Sequence, residues 1–168
     1  MEAETLKYEN LIRVLNEYGQ ELVNLYKNKL AANNVNASGE LSNSVKYLLK
    51  NKNNIYEIDL ELADYWKYVE NGRKAGKFPP ISKIENWVKV KHILPTAYQG
   101  KLPTEKQLAY LIARKIARKG IQPRPLLANS IEELNRIYFD KIEEALSIDL
   151  QKEFDDMFAI LHIKSGLQ

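Results

Sequence analysis

The chain has 168 residues, 45% of them hydrophobic and 28% charged, enough to bury one core without metal or disulfide staples and well outside the disordered class. Cysteine is absent, which excludes disulfides, thiolate zinc sites and thiol nucleophiles, and no apolar run approaches the roughly 20 residues that span a bilayer. The net charge of +3 is too small to argue for nucleic-acid binding by itself, but residues 71–91 and 114–124 are rich in Arg and Lys and residues 132–156 in Asp and Glu.

From residue 4 to about 32, Leu6, Leu11, Ile12, Leu15, Leu22, Val23, Tyr26 and Leu30 recur at spacings of three, four and seven, which predicts a long amphipathic helix. Gly19 interrupts it and implies a kink or a close contact. From Ser44 to Lys50 the chain turns β-like, and Asn51-Lys52-Asn53-Asn54 offers hairpin-turn chemistry. Beyond it Tyr56, Ile58, Leu60 and Leu62 alternate with Glu57, Asp59 and Glu61, the period of a half-buried strand. Residues 63–70 continue as an aromatic segment, strand or short helix, that Gly72 ends.

Ser82 with Glu85, and Thr104 with Gln107, have the spacing of capping boxes and predict two further helices. The first carries Ile84, Trp87 and Val88 inward, and the second Leu108, Leu111, Ile112 and Ile116, with Gly120 as its closing residue. Pro123 and Pro125 hold residues 121–125 extended. A long helix follows from about Leu126 to Leu146, and residues 150–163 form another helical stretch with Phe154, Met157, Phe158 and Leu161 as a second stripe. The expected fold is therefore α+β: a long N-terminal helix, a small antiparallel sheet built on a hairpin, two inserted short helices and a long C-terminal helix.

Chemistry-bearing patterns are sparse. His92 and His162 are not at helical spacing from another ligand type, so no metal site is expected, and His92 fits a helix end. Glu132-Glu133, Glu143-Glu144 and Asp155-Asp156 are adjacent pairs that splay about 100° apart on a helix and cannot share a substrate. Seven scattered glycines form no phosphate-cradling loop. No catalytic residue and no cofactor is expected. Arg114, Lys115, Arg118 and Lys119 form a basic stripe that could track phosphates or complement a helix dipole. Tyr65, Trp66 and Tyr68 could form a ligand-stacking surface, but suit a core or a subunit interface better.

Three short motifs, in order, carry a resemblance. They are Ser38-Gly39-Glu40-Leu41-Ser42-Asn43-Ser44, the aromatic run Tyr65 to Gly72 ending in Glu70-Asn71-Gly72, and Gln122-Pro123-Arg124-Pro125-Leu126-Leu127. Together with the helix–hairpin–helix setting, they resemble the tail-completion, or neck, proteins of long-tailed bacteriophages, small subunits that join head to tail. The resemblance touches residues 1–72 and 121–146 of what is expected to be a single domain. Residues 81–119 depart from it as a helical insert, residues 147–168 form a C-terminal extension or arm, and Arg73 stands where the family commonly has Thr.

What the resemblance implies is a structural virion protein without enzymatic activity. It would be synthesised in the host cytoplasm and placed at the head–tail junction, as a homo-oligomeric ring around the DNA channel. Its partners would be other neck, connector and tail proteins, with non-specific contact to passing DNA and none to membrane. Gly39, Leu41, Trp66, Tyr68, Glu70, Gly72, Pro123 and Pro125 are the candidate motif and interface residues. Gly39 would permit the turn between helix and strand, Leu41 would anchor the first strand, and Glu70 would accept turn amides or pair with a neighbour's Arg. Arg73, Lys74, Lys77, Arg114, Lys115, Arg118, Lys119 and Arg124 are the candidate channel-lining or partner-facing residues. The rival readings are a small nucleic-acid-binding module that sets its basic helix on phosphates, and a small hydrolase with a dispersed site.

Overall fold

A computed structural model describes residues 8–35, 39–53, 55–63, 65–93, 95 and 102–165. The fold is α+β. In chain order it comprises α1 (Glu9–Ala32), α2 (Glu40–Ser44), β1 (Lys46–Lys52), β2 (Ile55–Glu61), α3 (Trp66–Glu70), α4 (Ile81–Val90), α5 (Glu105–Lys119) and α6 (Leu126–Ser165). The two strands form one antiparallel hairpin sheet. Ser38 and Asn54, from the first motif and the hairpin turn, lie outside the described residues, as does Leu6 of the first stripe.

Two compact units divide the chain, and α1 and α6 contribute to both. The first comprises Met1–Asn24, Tyr47–Asp59 and Ser130–Gln168. In it α1 and α6 run antiparallel, tied by Tyr8 Oη to Glu153 at 3.2 Å and by Tyr18 Oη to Asn135 Oδ1 at 2.8 Å. The rings of Tyr18 and Tyr138 meet edge to face at 5.4 Å. Leu11, Val14, Leu22, Leu134 and Ala145 are buried in the same unit. The hairpin also lies on α1: the Tyr47 ring covers Gly19 so closely that a Cβ there would sit 2.4 Å from it. That is the close contact implied by a glycine in mid-helix.

The second unit comprises Leu25–Lys46 and Leu60–Asn129, with Tyr26, Leu30, Leu41, Val45, Val88 and Leu127 buried. Within it α4 packs against α5.

Several expectations require correction. Leu41 does not anchor a strand; it is fully buried on the short helix α2, ahead of β1. The Ser82–Glu85 capping box is not formed: Pro80, with φ fixed at −58°, is the N-cap of α4, and Ser82 falls inside the first turn. The Thr104–Gln107 box does form, in both directions. The buried stripe of α5 is the column Ala109, Ala113 and Ala117, not Leu108, Leu111, Ile112 and Ile116. Small side chains let a neighbouring helix approach closely, and the larger residues are displaced to its margins. Finally, α6 is one helix of 40 residues and does not break after Leu146. Its continuity brings Asp149 under the start of α1, a role that the local pattern does not reveal.

Candidate functional site: a motif node and a basic surface

The three motifs meet in the second unit. Glu70, only 7% exposed, sends its carboxylate to the first turn of α6, where Oε1 accepts from Leu127 N–H at 2.8 Å and Oε2 from Ala128 N–H at 3.3 Å. A helix begins with four amides that lack intrahelical partners, and its N-terminal dipole favours negative charge. Glu70 satisfies two of those amides. Tyr65 Oη accepts from Leu41 N–H at 2.8 Å, and Ser44 Oγ accepts from Ala63 N–H at 2.9 Å, so the first motif is bound to the second. The second is bound to the third by Arg124 N–H donating to Val69 O at 2.8 Å.

Tyr26 lies beside this node. Its hydroxyl is buried and has no hydrogen-bond partner among the described residues. Burial, followed by the proximity of Glu70 and Tyr65, pushes the phenol well above the ordinary tyrosine range, so it stays neutral.

A two-residue antiparallel bridge, Arg73 to Ile121, closes the node. Gly72 and Gly120 flank it, at φ of 66° and 72°; a Cβ at Gly72 would lie 2.3 Å from Ile121 O, and one at Gly120 2.2 Å from Arg73 O. Both the positive φ and the close backbone approach require glycine. Gly39, also at positive φ, is the N-cap of α2. Leu41, Glu70 and Gly72 are thus buried scaffold, Trp66 is half-buried, and Tyr68, Pro123 and Pro125 are exposed.

The same bridge unites the two basic segments. Arg73 N–H donates to Ile121 O at 2.9 Å, Ile121 N–H to Arg73 O at 2.8 Å and Gly76 N–H to Ala117 O at 2.7 Å. Residues 73–77 therefore run along the C-terminal end of α5, which carries Arg114, Lys115, Arg118 and Lys119, all four exposed. Lys74 and Lys77 are exposed, and Arg73 is half-buried with Nη2 donating to Lys77 O at 2.8 Å. Arg124 serves a different end of the unit. Its Nη1 donates to Asn33 O at 3.1 Å, at the C-terminal end of α1, where Lys91 Nζ also reaches Asn34 O at 3.4 Å. Cations there complement the negative end of the dipole.

Phe78, which nothing in the sequence pattern singled out, stacks on Tyr110 of α5 with ring centroids 5.9 Å apart and an interplanar angle of 27°. Both rings are about half exposed. An aromatic pair thus flanks the basic surface.

His92 follows α4 at φ 48°, with its amide bonded to Lys89 O, a helix-terminating position. The His162 side chain lies outside those described. Among the described residues no group of three or more His, Asp or Glu is placed to hold a metal ion, and no helix is long and apolar enough to cross a membrane. A depression on the first unit is lined by Ser147, Ile148, Gln151, Lys152, Asp155 and Asp156, which share one stretch of α6.

Comparison with protein-family models, with curated proteins and with solved structures finds no match.

Proposed function

We propose that this chain is a structural subunit of a bacteriophage virion. It forms a ring at the head–tail junction and works through adhesive surfaces without catalysis. The observation that carries this reading is the apolar solvent face of α6, where Phe139, Phe154, Phe158 and Met157 are 69%, 51%, 54% and 48% exposed. Large apolar side chains massed on a surface mark a place for protein partners. The resemblance to the neck proteins supports the same class, because its three motifs are joined by hydrogen bonds into one node that caps the longest helix.

The test is made on particles purified from the virus that encodes the chain. Mass spectrometry should detect the protein at a few to a dozen copies per virion, and labelled antibodies should bind at the junction of head and tail. Its absence from finished particles would overturn the assignment.

The second reading is a nucleic-acid-binding module, favoured by the exposed Phe78–Tyr110 pair beside the basic surface of α5, since stacked aromatics with flanking cations suit bases and phosphates.

A further inference from the structure

Building on the ring-forming reading, we propose that the apolar solvent face of α6 in one copy of this chain docks on the basic solvent face of α5 in a second copy. On α6, Phe139, Leu146, Leu150, Phe154 and Met157 follow one another at spacings of seven, four, four and three, so they form one seam along the helix. This seam lies on a different face from Leu134, Tyr138, Ala145 and Asp149, which are buried in the first unit. A helix that is apolar on two faces has one more face than its own unit uses.

The flanks of the seam identify what covers it. Glu132, Asp140 and Glu143 border it, and Arg136, the cation beside them, is tied to Glu132 in an ion pair. Pairing α6 with α6 of another copy would bring like charges together. The exposed face of α5 has the opposite character. Its Ala column is turned inward, leaving Leu111, Lys115 and Arg118 along the far side with Arg114 at the edge. Among the described residues none of Arg114, Lys115, Arg118 and Lys119 forms an ion pair. Pairing α5 with α5 would fail for the same electrostatic reason, whereas α5 against α6 sets cations against carboxylates and Leu111 against the seam. The lengths also agree: the 15 residues of α5 span about 22 Å and the seam about 27 Å at the helical rise. Because the two surfaces differ, the contact is heterologous, and copies joined through it close into a ring or extend as a filament according to the rotation between them.

Two doubly substituted full-length chains test this interface: Arg114→Glu with Arg118→Glu, and Asp140→Lys with Glu143→Lys. All four side chains are exposed or at the surface margin, and circular dichroism checks that each protein remains folded. Sedimentation velocity and native mass spectrometry should show the unsubstituted chain associating. Each variant alone should lose self-association by about tenfold or more. An equimolar mixture should recover it, because acidic α5 then meets basic α6 and the reverse. A chain that stays monomeric at every concentration overturns the interface, as does association that is unchanged in both variants, or no recovery on mixing. None of these results alters where the protein is found in the virion, which its own measurement reads.

Discussion

At the scale of single residues, the most consequential side chain is a buried carboxylate that caps a helix. Glu70 is held on α3 with Gly72 two positions later, and the backbone reversal between them turns the chain toward Ile121. The carboxylate is buried and its partners are amides with no other acceptor in the helix, so its removal leaves donors unsatisfied away from water. Replacing Glu70 with Ala should destabilise the fold by about 2 kcal/mol, as losses of helix caps and of buried acceptors do. For a chain of this size that lowers the melting temperature by roughly 4–8 °C. Glu70→Gln retains one acceptor oxygen and should lose less. Thermal denaturation of the two variants reads this directly, and equal, negligible shifts would show that α6 is capped in some other way.

At the scale of elements, the long helices use one device twice. Asp149, in the interior of α6, accepts from Leu11 N–H at 2.8 Å, from Asn10 N–H at 3.2 Å and from Asn10 Nδ2 at 2.8 Å, so α1 is capped from outside as α6 is by Glu70. Burial pushes the Asp149 carboxyl up, but the hydrogen bonds from Leu11 and Asn10, with Lys152 nearby, outweigh it and hold the group below its ordinary value of 3.8. A carboxylate with a depressed pKa contributes stability that is full above the unfolded value and is lost as pH falls through the folded one. Asp149→Asn should therefore be less stable than the unsubstituted chain near neutral pH, and the difference should shrink as pH falls below 3.8, as measured by urea unfolding at the two ends of that range. These two caps also show what the sequence could and could not reveal. Thr104 with Gln107, and Gly120 after α5, were legible because the cap and its amides are neighbours in the chain. Asp149 lies 138 residues from the Leu11 amide it serves and no local pattern marks it, whereas Glu70 is marked by the Glu70-Asn71-Gly72 motif but not the amides it reaches, 57 residues away. Ser82 with Glu85 had the same local signature as Thr104 with Gln107, but Pro80 had already set the helix start. The α5 stripe is not legible from hydrophobicity, which ranks Leu and Ile above Ala, whereas close helix packing favours the smaller side chain.

At the scale of the whole molecule, the charge asymmetry visible along the chain acquires a physical location. Residues 73–77 and 114–119, separate in sequence, share one corner of the second unit, and the carboxylates of α6 belong to the first. On the proposed reading such a distribution meets a protein neighbour of opposite sign, on the rival reading the phosphates of DNA, and salt distinguishes the two. Phosphate binding releases condensed counterions, so the logarithm of the affinity falls with the logarithm of salt at about 0.9 per phosphate neutralised. On the proposed reading, a ring subunit that meets DNA only in passing needs little of this affinity. The monomeric chain should bind generic duplex only weakly, without sequence preference, and lose that binding by physiological salt. Charge reversal at Arg114, Arg118 and Lys119 should change little beyond this weak background. Strong binding by the monomer, with a slope that falls by about three when those three cations are reversed, would transfer the assignment to the nucleic-acid reading. In that event the Phe78–Tyr110 pair becomes the next residue set to substitute, because base stacking on exposed rings adds affinity that salt does not remove.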